Sequence, residues 1–190
     1  MLKAPSKNQI NTLLKYYQSK NYIKTKKFAL SLTKSFPKHD LAWKILSIVL
    51  KETGKISESL TASEKLVEIK PQDALAHYNL GNRYKELAKF SKAEVSYKKA
   101  ISFKPDLFQA YYNLGIILKN NNKLEEAEKY YRHAIYLNPN FAEAYNNLGT
   151  VLENLGKLKD AEIYYKKAIA MRSNFAEACN NLATNLEQQG

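Results

Sequence analysis

The sequence predicts an all-α fold, a solenoid of antiparallel helix pairs. Three observations predict it. The chain repeats itself with a period of 34: Pro37, Pro71, Pro105 and Pro139 keep that interval, as do Leu46, Leu80, Leu114, Leu148 and Leu182. Apolar residues recur at helical spacing within a period, as Ala144, Tyr145, Leu148, Val151, Leu152 and Leu155 do. Only six glycines and five prolines interrupt 190 residues that are 45% hydrophobic, a composition suited to long helices rather than many short strands. One helix pair cannot bury its own apolar faces, whereas stacked pairs can.

The elements follow in order. Residues 6–39 fit the frame loosely, through Leu13, Tyr22, Ala29, Leu32 and Pro37, and residues 1–39 are expected to form a basic, degenerate capping helix pair. The array proper is expected over 40–190, as full units at 40–73, 74–107, 108–141 and 142–175 and the first helix of a further unit at 176–190. Ser47, Gly81, Gly115, Gly149 and Ala183 share a small-residue slot in the first helix, where a large side chain would hold two helix axes apart. Further small slots run through Ser59, Ala93, Ala127 and Ala161, and through Ala100, Ala134 and Ala168 with Leu66 at their head. Tyr97, Tyr131 and Tyr165 form an aromatic slot. The turn inside each pair carries Gly54, Ala88, Asn122, Gly156 and Gly190; glycine and asparagine tolerate the left-handed conformation that ends many helices, and Ala88 is the exception. Each proline ends the second helix. Asp106, Asn140 and Asn174 stand just beyond it, where caps for the following helix are expected.

Trp43 or Tyr111, the Leu114-Gly115 pair, then Ala127, Tyr131, Ala134 and Pro139 together resemble the tetratricopeptide repeat. The resemblance covers residues 40–190. It implies a right-handed superhelix of 34-residue units acting as a scaffold that binds a protein or an extended peptide segment. The Leu-Gly pair, the alanine slots and the closing proline look like this family and not like the pentatricopeptide RNA readers. The chain is also similar to the repeat arms of O-linked N-acetylglucosamine transferase-like and other bacterial transferase proteins. That similarity implies a second reading, a substrate-recruiting arm whose glycosyltransferase or sulfotransferase domain lies beyond Gly190.

From residue 74 onward each unit places an asparagine just before the recurring leucine: Asn79, Asn113, Asn147 and Asn181. Asparagine costs up to ~0.7 kcal/mol against alanine inside a helix, so its recurrence asks for a reason. A primary amide offers a donor and an acceptor together, matching the N–H and C=O of an extended peptide whatever its side chains. The resemblance places this slot on the concave wall, so that the four amides would line a peptide-binding groove. Tyr78, Tyr112, Asn146 and Asn180, each one place earlier, join the candidate groove. The competing reading is that the amides bond a neighbouring helix and fix the repeat angle. The same placement adds Lys44, Ile45, Ile48 and Lys51, then Asn82 and Lys85, and finally Glu143, Glu153, Glu177 and Glu187, running from basic and apolar to acidic.

The formal net charge is +12, and residues 1–39 hold nine lysines and no acid. Lysine outnumbers arginine 27 to 3, which disfavours bidentate phosphate contacts and argues against nucleic acid as the partner. A lone cysteine, Cys179, excludes an internal disulfide; it shares the packing slot of His77, Tyr111 and Tyr145 and is expected to be a buried, inert thiol. His77 is likewise expected to pack in the core. No catalytic constellation, cofactor motif or metal-ligand spacing stands out. The most apolar run, LAWKILSIVL at 41–50, is about half of a bilayer span, and the expected location is cytoplasmic. Gly190 falls in the turn slot, so the chain reads as the front of a longer protein or a fragment. The uncovered Leu182 and Leu186 of its last helix then suggest self-association.

Overall fold

A computed structural model describes residues 4–190; the first three residues of the basic 1–39 segment lie outside the described residues. The regular structure of the described residues is helical throughout. The helices are α1 (Lys7–Gln18), α2 (Tyr22–Ser35), α3 (Asp40–Glu52), α4 (Ile56–Ile69), α5 (Ala74–Glu86), α6 (Phe90–Phe103), α7 (Phe108–Asn120), α8 (Leu124–Leu137), α9 (Ala142–Asn154), α10 (Leu158–Met171) and α11 (Ala176–Gln189). This is the all-α solenoid of paired helices that the period predicts. The chain divides into two compact parts, one carrying α1–α6 and ending at Phe103, the other carrying α7–α11 and starting at Lys104. Within each part every helix packs on the next: α1 to α6 in sequence in the first, α7 to α11 in the second.

The small-residue slot brings paired helices together. Tyr97, Tyr131 and Tyr165 are wholly buried, each against the glycine of its partner helix. A Cβ at Gly81, Gly115 or Gly149 would lie 2.6, 2.8 or 2.5 Å from the tyrosine ring, closer than any real Cβ contact. The α3–α4 pair is built differently. Ser47 and Ser63 occupy the glycine and tyrosine slots there, with their hydroxyls 2.9 Å apart, and the Ser59 hydroxyl donates to the Ser47 carbonyl at 2.7 Å.

The turn slot is left-handed at four positions: φ is +73° at Gly54, +54° at Ala88, +59° at Asn122 and +75° at Gly156. Lys20, 34 residues before Gly54, has φ +54°, so the repeat frame runs through the degenerate first pair as well. Ala88 and Lys20 hold a conformation that costs a residue with a Cβ roughly 1–2 kcal/mol.

Two expectations need correction. Asp106, Asn140 and Asn174 do not cap the helices that follow. The N-caps of α7, α9 and α11 are Leu107, Phe141 and Phe175, none with a side-chain cap hydrogen bond. In the same slot His39 and Asp73 do cap α3 and α5. The later units exchange the cap for apolar packing: Phe141 meets Phe108 and Tyr112 at centroid distances of 5.3 and 4.6 Å. Cys179, expected to be buried, is exposed. Its counterparts Tyr111 and Tyr145 pack against rings of α8 and α10, and α11 is the last of the described helices. Leu186, on the same helix, is 46% exposed. His77 packs as expected, 3% exposed and stacked on Phe103 at 5.6 Å, with Nε2 2.9 Å from the Pro71 carbonyl.

Ala88→Gly is expected to raise stability by about 1 kcal/mol, read by urea denaturation, because it relieves the left-handed strain at little cost elsewhere. Gly115→Ala should do the reverse, lowering stability by about 1–3 kcal/mol as Tyr131 is forced off its partner helix.

Candidate functional site

The first helices of the pairs carry the residues singled out by the repeat. In the second compact part these are α7, α9 and α11, which lie side by side. The Asn147 Nδ2 donates to the Tyr112 hydroxyl at 2.9 Å, and the Asn181 Nδ2 donates to the Asn146 Oδ1 at 3.0 Å. The two bonds are equivalent in the repeat. Each runs from the asparagine before the leucine to the residue 35 places back, on the preceding first helix. The Asn146 Nδ2 in turn donates to Glu177 at 3.0 Å, and the Lys119 Nζ reaches the Asn147 Oδ1 at 3.4 Å. Asn147 and Asn181 are half-buried, Asn113 and Asn146 are buried, and Asn180 is exposed.

Charge surrounds these amides. Arg172 pairs with Glu143 at 2.7 Å and lies over the Phe175 ring at 3.6 Å. Glu153 accepts from the Tyr165 hydroxyl at 2.6 Å and from Gln188 at 3.0 Å. Burial pushes the Tyr112 hydroxyl up to about 12, with Glu143 and Glu177 adding to the shift, so the phenol stays neutral and keeps its proton to donate. Burial lowers the pKa of the Lys119 ammonium.

In the first compact part Tyr78 tilts over Tyr97 at 6.0 Å, and Asn82 accepts the Tyr97 hydroxyl at 2.7 Å. Lys85 is half-buried, and burial lowers its pKa as it does at Lys119. Asn79 is half-buried and borders a cleft between α3 and α5. Ile45, expected to face a groove, is 2% exposed and belongs to the core with Leu46 and Val49, because α3 is packed on both α2 and α4.

The structure thus brings Tyr112 to Asn147 and Asn146 to Asn181, and leaves Asn180 apart from them. Sequence reasoning passed over Lys119, Arg172 and Arg83. Lys119 had a readable signal, since it stands 34 residues after Lys85 and 68 after Lys51. Arg172 had none, because its partner lies on another helix. No group of three or more His, Cys, Asp or Glu among the described residues could hold a metal ion. No helix among them is long and apolar enough to cross a membrane.

A regularly repeated helix pair with polar residues aligned on successive first helices defines a helical-repeat protein. Family models described as tetratricopeptide repeat match residues 108–141 and 130–163, and one described as TPR repeat matches 81–122. The chain carries tetratricopeptide repeats over residues 81–163. Among solved structures it is similar to MamA, with a TM-score of 0.80 at 22% identity, covering 86% of this chain and 95% of that one. It is similar to YrrB, described as a TPR protein with an unusual peptide-binding site, with a TM-score of 0.82 at 18% identity over 93% of this chain and 91% of that one. A shorter match is the first TPR of Spaghetti (RPAP3) bound to the HSP90 peptide SRMEEVD, with a TM-score of 0.61 at 26% identity over 62% of this chain and 94% of that one. Among curated protein sequences none matches this chain.

Tyr112→Phe removes the oxygen that accepts from Asn147. It is expected to lower stability by about 0.5–1.5 kcal/mol in a denaturant titration while leaving helical content unchanged.

Proposed function

We propose that the chain is a non-catalytic scaffold that holds an extended peptide segment on the face of α7, α9 and α11. The observation that carries this reading is the anchoring of Asn147 and Asn181 to the preceding first helix, Asn181 by one hydrogen bond and Asn147 by two. Such bonds fix the amides without exhausting them. A primary amide has two N–H donors and an oxygen with two lone pairs, so each retains capacity for a ligand's backbone N–H and C=O. A side chain held in place in advance also loses less entropy when it binds. The amides therefore serve both readings weighed for them, joining neighbouring units and offering the remaining edges to a peptide. Tyr112, Lys119 and Glu177 position them.

The similar structures support a peptide as the ligand class, since YrrB is described by its peptide-binding site and the RPAP3 repeat is bound to a peptide. Contacts through backbone-matching amides make capture tolerant of ligand sequence. Two of them, at about 0.5–1.5 kcal/mol each, supply weak binding.

The test is binding to a pool of random octapeptides, wild type against the double variant Asn147→Ala and Asn181→Ala, with thermal melts of both. A roughly tenfold loss of binding, with the melt lowered by no more than about 5 °C, is expected. Unchanged binding by a folded double variant would overturn the reading.

A further inference from the structure

In the first compact part a cavity of about 390 Å³ lies among α4, α5 and α6, and the repeat shows what has left it open. His77 and Ser96 stand 34 residues before Tyr111 and Tyr130, and 68 before Tyr145 and Tyr164. In those later pairs the tyrosines pack ring to ring, with centroids 6.1 Å apart in both. In the α1–α2 pair the slot of Ser96 holds Phe28, 6.0 Å from Tyr16, and in α3–α4 the slot of His77 holds Trp43. The α5–α6 pair is built differently. Ser96 is buried, with its hydroxyl donating back to the Lys92 carbonyl at 2.9 Å, and His77 stacks on Phe103 at 5.6 Å. One ring is missing, and both residues line the cavity.

The rim of the cavity is basic. Lys92, Ser96 and Lys99 follow one face of α6 at i, i+4 and i+7, so a small residue sits between two lysines. The Lys92 ammonium lies over the Tyr84 ring at 5.7 Å, as that of Lys24 lies over Tyr16 at 5.9 Å two repeats earlier. The lysine and tyrosine are thus repeated, while the ring of Phe28 in the first pair is given up at Ser96 in this one. No Asp or Glu is among the residues that line the cavity. The Tyr84 hydroxyl is spent on Glu64 at 2.7 Å, which leaves the cavity its ring. Glu94 of α6 pairs with Lys98 at 2.7 Å. Val67, Leu80 and Val95 supply an apolar wall, of which Val95 is 55% exposed. A concave, mainly apolar space of this size, with a few charged groups at its edge, has the form of a small-molecule site.

We infer that this cavity binds a small aromatic carboxylate, with the ring over Ser96 in the volume that Tyr130 and Tyr164 fill in their own pairs, and the carboxylate at the ammonium groups of Lys92 and Lys99. The two lysines, with no acid in the lining, select an anion. The vacant ring slot beside Tyr84 and His77 selects an aromatic group over an aliphatic chain, because rings gain from packing on rings and from nearby ammonium groups. The site lies wholly within the first compact part and is independent of the peptide-binding reading of α7, α9 and α11.

The probes are hydrocinnamate, its neutral amide and the aliphatic anion hexanoate, each titrated into the full chain with binding read by ligand-observed NMR. Two variants test the site. Ser96→Tyr installs the ring that the later pairs carry, and the double variant Lys92→Gln and Lys99→Gln removes the charge from two exposed side chains. Circular dichroism melts report the folding of both. Hydrocinnamate is expected to bind the wild type about fivefold more tightly than either comparison compound. Ser96→Tyr should weaken it about tenfold by occupying the ring slot, and the lysine variant should bind the acid and the amide equally. Equal binding of the three probes by the wild type, or no binding of hydrocinnamate, would overturn the inference. Undiminished binding by a folded Ser96→Tyr variant would do the same. Should that variant fail to fold, the lysine variant decides alone, since a preference for the acid that survives the loss of both charges contradicts the site.

Discussion

The contact of a tyrosine ring on a glycine carries the rest of this structure. With no Cβ at Gly81, Gly115 or Gly149, two helices approach until Tyr97, Tyr131 and Tyr165 fill the space between them. The close approach buries a large apolar ring against backbone, where packing is tightest and even one methyl is felt. The ring is long enough for its hydroxyl to emerge at the first-helix residues Asn82 and Glu153, so the core holds polar side chains that face outward. In the α7–α8 pair the residue equivalent to Asn82 is Ile116, and the Tyr131 hydroxyl finds no partner among the described residues. The packing is kept there without the hydrogen bond. That order of priorities identifies packing as the constraint and the polar contact as its by-product.

Departures from that contact mark the places with individual chemistry. The α3–α4 pair replaces ring and glycine by a network of serine hydroxyls. A core slot of the next helix then accommodates the Arg83 side chain in place of a valine or isoleucine. In the second compact part the repeat is kept, and its polar positions are tied together across neighbouring units. The rungs from Asn147 to Tyr112 and from Asn181 to Asn146 tie neighbouring first helices together. A position copied from unit to unit becomes a row in a repeat protein.

The sequence by itself determined the fold. A period of 34 with small, aromatic and proline slots in register leaves little choice but stacked helix pairs, since each slot states a local steric demand that needs no knowledge of distant residues. The left-handed turn was legible for the same reason, and Lys20 extends it beyond the glycines and asparagine that announced it. Tertiary structure decided which side chains meet. Asn146 and Asn147 are adjacent in sequence, yet one is buried on Glu177 and Asn181 while the other is half-buried on Tyr112, because a helix turns 100° between them. Asn140 and Asn174 carry good capping side chains, but the chain enters α9 and α11 one residue later, where phenylalanine gains more from packing than a cap would give. Cys179 reads as a core residue by register and is exposed, because burial depends on the helix that covers a slot and not on the slot itself.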